Sequence, residues 1–175
     1  MAQDVSAAKP YDVDEAYQVY SVLLPHEESY RFAKGTLVIQ KETVSHSIES
    51  GCFDSKSASR FRDALTDYAN MQMGKWLLQK NFRIEKSYDL VSSETINLLF
   101  KERGVAGWQD FYHRYPDSGG FIIMSPVGFN KTKTLAVVYT GSSCSGLCGR
   151  WGFHLLEKSD GKWREVPGVS CFTVS

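Results

Sequence analysis

The chain has 175 residues, with 20 basic side chains set against 20 acidic ones. This length suits one domain of about 100–200 residues, large enough to build a core without metal or disulfides. The charge balance, with no block of one sign, excludes the basic stripe expected of a nucleic-acid-binding protein. No apolar run approaches the roughly 20 residues of a membrane-spanning helix, and ten Phe, nine Tyr and four Trp exclude a disordered chain.

Residues 1–11 read as a flexible lead, and residues 12–175 as a single domain. The polar start resembles a mature N-terminus with an added Met, which predicts a removed leader and a periplasmic or secreted location. Asp12 and Glu15 are spaced as a capping box. Ala16, Val19, Tyr20, Leu23 and Leu24 follow at helical spacing, and Pro25 stops that helix. Thr36–Val44 is rich in β-branched residues and predicts a strand. Ser45–Ser57 is polar and turn-rich. A long helix is expected over about Ser59–Lys80, its buried stripe marked by Phe61, Ala64, Leu65, Tyr68, Met71 and Leu78. A short strand is expected within Phe82–Leu90.

Ser92 or Ser93 is placed to cap a helix carrying Ile96, Leu99 and Phe100, with Gly104 closing it. Trp108, Phe111, Tyr112 and Tyr115 recur at amphipathic spacing, and Pro116 ends that helix. Strand signals then crowd together: Gly120–Ser125, Thr134–Thr140, Trp151–Lys158 and Lys162–Val166, with Val169–Val174 as a further edge strand. Asp160-Gly161 is a strong hairpin signal, and short connections demand antiparallel neighbours. The expected fold is α+β: N-terminal helices packed on one face of a C-terminal antiparallel β-meander.

Four cysteines, at 52, 144, 148 and 171, allow three disulfide pairings in an oxidising compartment. Cys144–Cys148 with Cys52–Cys171 is the preferred one, and four buried thiols are the alternative. The Gly141–Trp151 segment, holding Cys144 and Cys148, lies between two predicted strands. Its C-x3-C spacing is not the C-x-x-C of thioredoxin-like sites. It resembles the Cys-Ser-x-x-Cys-Gly core of the dinuclear copper loop of cytochrome oxidase subunit II. Gly152 and Leu155, however, stand where that family needs His and Met, and the nearest histidine, His154, is displaced by two residues. Copper held by Cys144, Cys148 and His154 is therefore the alternative to a disulfide-held turn.

The four histidines are dispersed, and no nucleophile-elbow, P-loop or dinucleotide motif occurs. His154, His113 and Asp117 are candidates for a hydrolase, without a spacing signature. Asn130-Lys-Thr132 fits a glycosylation sequon in a predicted turn. Trp108, Tyr112, Trp151 and Trp163 are candidates for an aromatic ligand-binding surface.

Gly107-Trp-Gln-Asp-Phe-Tyr112, Tyr115-Pro-Asp-Ser-Gly119, Ser125-Pro-Val-Gly-Phe-Asn130, Ala136-Val-Val-Tyr139, Leu147-Cys-Gly149, Leu155-Leu-Glu-Lys158 and Gly161-Lys-Trp163 occur in that order. Together they resemble a family of small uncharacterised bacterial proteins, many with predicted export signals. The resemblance covers residues 88–166 and departs at Pro126, where Arg is expected. It implies an α+β fold and export, and no activity. The expected function is an exported, non-catalytic domain, structural or ligand-binding, with a turn held by Cys144 and Cys148.

Overall fold

The computed structural model describes residues 8–101 and 104–174. Residues 1–7 of the expected flexible lead lie outside that range. The rest of the lead is held in place: β1 (Lys9–Pro10) pairs in parallel with β3 (Trp76–Leu77), and Tyr11 is buried in the core. Helix α1 (Asp14–Leu23) buries Ala16, Tyr17, Val19, Tyr20 and Leu23, and Pro25 then lies in a 3-10 turn, Leu24–His26.

The expected capping box does not form. Val13 is the N-cap residue and offers no side-chain hydrogen bond. Glu15 instead accepts 2.6 Å bonds from the Lys158 ammonium and the Trp163 indole. Burial works against its ionised form, yet those two donors together hold its carboxyl below the usual range. A charge-assisted bond of this kind is worth more than a neutral one to a backbone N–H.

Helix α2 (Glu28–Phe32) leads to β2 (Leu37–Gln40). The expected long helix is two shorter ones, α3 (Ser55–Arg60) and α4 (Arg62–Met71), broken at Phe61. Asp54 caps α3 by accepting from the backbone N–H of Lys56 and Ser57. The Trp76 indole donates to the Met71 carbonyl at the end of α4, and the chain then enters β3 instead of continuing as helix. Leu78 consequently joins a different hydrophobic cluster from Phe61, Ala64 and Tyr68.

Next come β4 (Tyr88–Val91), α5 (Ser93–Phe100), capped by the Ser92 hydroxyl, and α6 (Gly107–Arg114). The strands β5 (Phe121–Met124), β6 (Gly128–Phe129), β7 (Leu135–Ser145), β8 (Cys148–Ser159) and β9 (Lys162–Val174) complete the chain. The sheet order is β4-β2-β5-β7-β8-β9, with β6 also on β7. Pairing is antiparallel from β5 through β9, and parallel where β2 meets β4 and β5. The fold is mixed α+β with an antiparallel-rich sheet.

The helices do not all lie on one face. Neighbouring strand residues point to opposite sides, and the core divides accordingly. Ile39, Ile122, Met124, Ala136, Val138 and Leu156 pack with α1. Val137, Tyr139, Phe153 and Leu155 pack with Phe61, Ala64 and Tyr68 of α3–α4. Val38 and Val91 pack with Ile96 of α5 and Phe111 of α6. Two parallel strands from the N-terminal half extend the sheet, so it has two apolar faces to cover.

Asp160 and Gly161 both have positive φ, as the tight β8–β9 hairpin requires. The Asn130 side chain closes the β6–β7 turn, accepting from the backbone N–H of Thr134 and Leu135 at 2.8 and 2.9 Å and donating to two threonine hydroxyls. The two predicted strands after Lys162 are one strand. Its register on β8 shifts between His154 and Leu156, which face Ser170 and Glu165. Residues 166–169 therefore bulge outward, and Pro167 is accommodated because β9 is an edge.

Two glycines separate the roles of conformation and space. Gly120 has φ +108°, and a Cβ there would fall 2.0 Å from the Ser143 carbonyl oxygen, whereas Gly161 at φ +73° faces open space. Gly161→Ala should cost about 1–2 kcal/mol, the left-handed backbone penalty alone. Gly120→Ala adds a steric cost of about 1–3 kcal/mol and should be clearly the worse in urea denaturation.

Candidate functional site

One row of side chains runs along β7 and β8 beneath α2. On β7, Thr140 and Ser142 are polar and buried. Their partners come from more than a hundred residues away. Thr140 donates to Glu27, whereas the Ser142 hydroxyl accepts from the backbone N–H of Ser29 and donates to its hydroxyl, both at 2.8 Å. Cys144 continues the row to the hairpin tip.

Across the strand pair, His154 is 5% exposed and uses both ring nitrogens. Nε2 lies 2.7 Å from Thr140 Oγ1 and Nδ1 lies 2.7 Å from Glu165 Oε1. The β9 bulge brings Glu165 beside His154, a re-aiming typical of bulges. Glu27 is 6% exposed and 3.9 Å from His154 Nε2. The Arg150 guanidinium covers the neighbouring Phe172 ring at 3.9 Å from its centre.

The single hydroxyl proton of Thr140 can serve only one of its two neighbours, Glu27 and the His154 ring, so the other contact must be donated to Thr140.

Glu165, His154 and Thr140 thus share the connectivity of a carboxylate–imidazole–hydroxyl triad. The hydroxyl, however, lies on a residue only 2% exposed, in the middle of a strand and beneath Glu27. No substrate carbonyl can approach it. Among the described residues no buried side-chain polar atom lacks a partner.

Burial pushes the Glu27 carboxyl upward, against the opposing pull of Thr140, His154 and Arg150. Glu165 moves the other way, held down first by its bond from His154.

The cysteines fall into two pairs. Cys52 is joined to Cys171, with Cα atoms 5.3 Å apart across 119 residues, and Cys144 to Cys148 at 5.2 Å. Beside the second pair lies Glu28, whose Oε2 is 3.6 Å from Cys148 Sγ. His154 is six residues along β8 from Cys148, about 20 Å for an extended strand, and both its nitrogens are engaged. The structure therefore does not assemble Cys144, Cys148 and His154 as a copper ligand set, and Glu28 takes the third place. His154 also finds its partners in Glu27, Thr140 and Glu165, not in His113 or Asp117.

The four aromatic candidates do not form one surface: Trp108 and Tyr112 share a cluster, while Trp151 and Trp163 lie in two others. Trp163 is buried against Phe129 and Glu15. Trp108 packs with Phe100, Phe111 and Phe121. Tyr112 stacks on Trp108 and donates a 2.6 Å bond to the Cys144 carbonyl. Trp151 lines an open recess, of about 270 Å³, together with His46, Tyr139 and Phe153.

In the sequence Glu27 and Glu28 read as helix-end or solvated charges, and nothing local marks Glu165 or Thr140 as a partner of His154. The alternating polar positions Thr140 and Ser142 were a visible signal. Nothing local shows that residues 27–29 cover them. No family model, curated protein or solved structure matches the chain.

The two glutamates predict opposite pH dependences. Glu27 ionises less readily folded than unfolded, so its contribution is present below the ordinary glutamate range and lost as pH rises through its raised value. Glu165 contributes above that range and loses its contribution as pH falls through its lowered value. Glu27→Gln should therefore remove a loss of stability on going from acid to neutral pH, and Glu165→Gln should remove a gain. Urea midpoints followed across that range check both signs. Thr140→Val, which orphans buried groups, should cost about 1–3 kcal/mol per group.

Proposed function

We propose that the protein is an exported, non-catalytic binding domain braced by two disulfides. The observation that carries this reading is a contrast between two regions. The triad-like residues are sealed and mutually satisfied, whereas the aromatic recess around Trp151 is open. That recess borders the segment 45–49, which is fastened at several points. Ser45 donates to the Gln72 carbonyl, the His46 amide donates to the Gln72 side chain, and Tyr68 donates to the His46 carbonyl. The His46 ring stacks on Tyr139 with centres 4.2 Å apart. A second cavity, about 420 Å³, lies on the other side of the same segment, lined by Ile48, Leu65, Tyr68 and Gln72.

Aromatic walls with a few polar groups suit a small, partly apolar ligand, and the fastened segment limits the ordering that binding would require. The Cys52–Cys171 bond fixes the end of this region to β9. The pairing of all four cysteines supports export to an oxidising compartment. No helix among the described residues is long and apolar enough to cross a membrane.

Two measurements test the reading. Protein recovered from its native host and treated with an alkylating agent before reduction should carry no label, and four labelled cysteines would overturn the oxidised, exported state. The fluorescent probe 8-anilinonaphthalene-1-sulfonate should bind the recess and lose affinity in Trp151→Ala; unchanged binding would remove the recess from the proposal. The two bonds also differ in weight. On loop-closure entropy, the bond spanning 119 residues should contribute about 5 kcal/mol and the local one about 2. Cys52→Ala/Cys171→Ala should accordingly unfold at clearly lower denaturant than Cys144→Ala/Cys148→Ala.

A further inference from the structure

The hairpin tip carries a second chemistry, independent of the aromatic recess. Cys144 Sγ, Cys148 Sγ and a Glu28 carboxylate oxygen all lie within 4.8 Å of one another. We propose that, once the Cys144–Cys148 bond is reduced, these three groups form a site for a divalent zinc-like ion.

The geometry fits such an ion. Tetrahedral zinc holds sulfur at about 2.3 Å and oxygen at about 2.0 Å, which places a sulfur and an oxygen ligand roughly 3.5 Å apart. Cys148 Sγ and Glu28 Oε2 are already 3.6 Å apart. Two sulfur ligands on zinc stand roughly 3.8 Å apart by the same geometry. The two Cα atoms are at 5.2 Å, so side-chain rotation alone can open the sulfurs to that spacing. Two thiolates and a carboxylate are a borderline donor set that suits zinc, and the fourth position is left to water.

The groups are also held without the disulfide. The Ser29 amide donates to Ser142, and the Ser29 hydroxyl is 3.3 Å from the Ser143 carbonyl, which pins the start of α2 to β7. Tyr112 fixes the Cys144 carbonyl from the other side. Leu147, between the two cysteines in the turn, is 89% exposed, so the tip is reachable by both reductant and metal.

The redox step is a two-electron exchange. A dithiol reductant gives two electrons and two protons to the Cys144–Cys148 bond and itself becomes a disulfide, leaving two thiols on the protein. Zinc then displaces both thiol protons and binds the thiolates. In the reverse step a small-molecule disulfide takes two electrons from the two thiolates and, with two protons from water, becomes two thiols; the Cys144–Cys148 bond re-forms and the ion is released, so the tip alternates between a covalent clasp and a metal clasp.

Cobalt(II) is the probe, since it reports thiolate ligation by a charge-transfer band and tetrahedral geometry by its visible bands. Full-length protein reduced with a phosphine should take up one cobalt per chain with both signatures, and zinc should displace it. Oxidised protein should take up none. Cys148→Ser, which keeps Cys52 and Cys171, should abolish the charge-transfer band. Glu28→Gln should keep that band but weaken zinc by more than about tenfold, since even outer-shell partners are worth about 10–100-fold. Far-UV circular dichroism confirms that each variant is folded. If Cys148→Ser does not fold, Glu28→Gln decides. A reduced wild type with no charge-transfer band, or a Glu28→Gln variant binding zinc like wild type, would overturn the site. Neither result bears on native alkylation or on the Trp151 recess.

Discussion

Strand β7 is the constraint on which the rest depends. It pairs with β5 and β6 on one edge and with β8 on the other. Its residues must therefore satisfy two helical layers at once. Ala136 and Val138 serve the layer of α1, whereas Val137 and Tyr139 serve that of α4. A strand buried on both faces reads as a continuous apolar run, and Leu135–Tyr139 is one. Beyond Tyr139 the same strand turns polar, and Thr140 and Ser142 meet the chain from Glu27 to Ser29. Its register on β8 then shifts around Cys144, between Ser143 and Ser145.

This two-sidedness explains what the sequence could and could not reveal. The hairpins of the C-terminal half are legible because their signals are local: Asp160-Gly161 supplies the positive φ of a tight turn, and the strands either side alternate. The caps at Ser92 and the stripe of Trp108, Phe111 and Tyr115 are legible for the same reason. The second helical layer is not, because it rests on packing of Phe61, Ala64 and Tyr68 against Val137, Tyr139, Phe153 and Leu155, and the parallel pairing of β2 and β4 likewise leaves no short-range mark. The same reasoning applies to the long helix expected over Ser59–Lys80. Its apolar spacing continues past Met71, but Trp76 gains more by capping α4 and pairing with Lys9 than by extending it, and both partners are remote from the local pattern. Glu15 failed as a cap for a similar reason, its carboxylate being claimed by Lys158 and Trp163 across the sheet.

The candidate site shows the same division between local and remote. The C-x3-C spacing and its glycines are visible in the sequence, and they place Cys144 and Cys148 at a hairpin tip. The third group near them is Glu28 rather than His154. The reason is strand geometry: His154 shares a face with Cys148 but lies about 20 Å along the strand, whereas Glu28 is carried to the tip by a helix start that no local pattern ties to β7.

Glu27 and Glu28, adjacent in sequence, end up in opposite electrostatic settings. Glu27 points inward onto Thr140, where burial resists its charge. Such a buried network is costly unless every member is satisfied, and here every member is. That makes it a rigid internal strut and closes it to substrate. Glu28 points toward the half-exposed Cys148, where water can still reach the carboxylate and its charge needs no internal partner. A single helix start therefore divides one sheet face into a sealed polar interior and an open, sulfur-bearing rim.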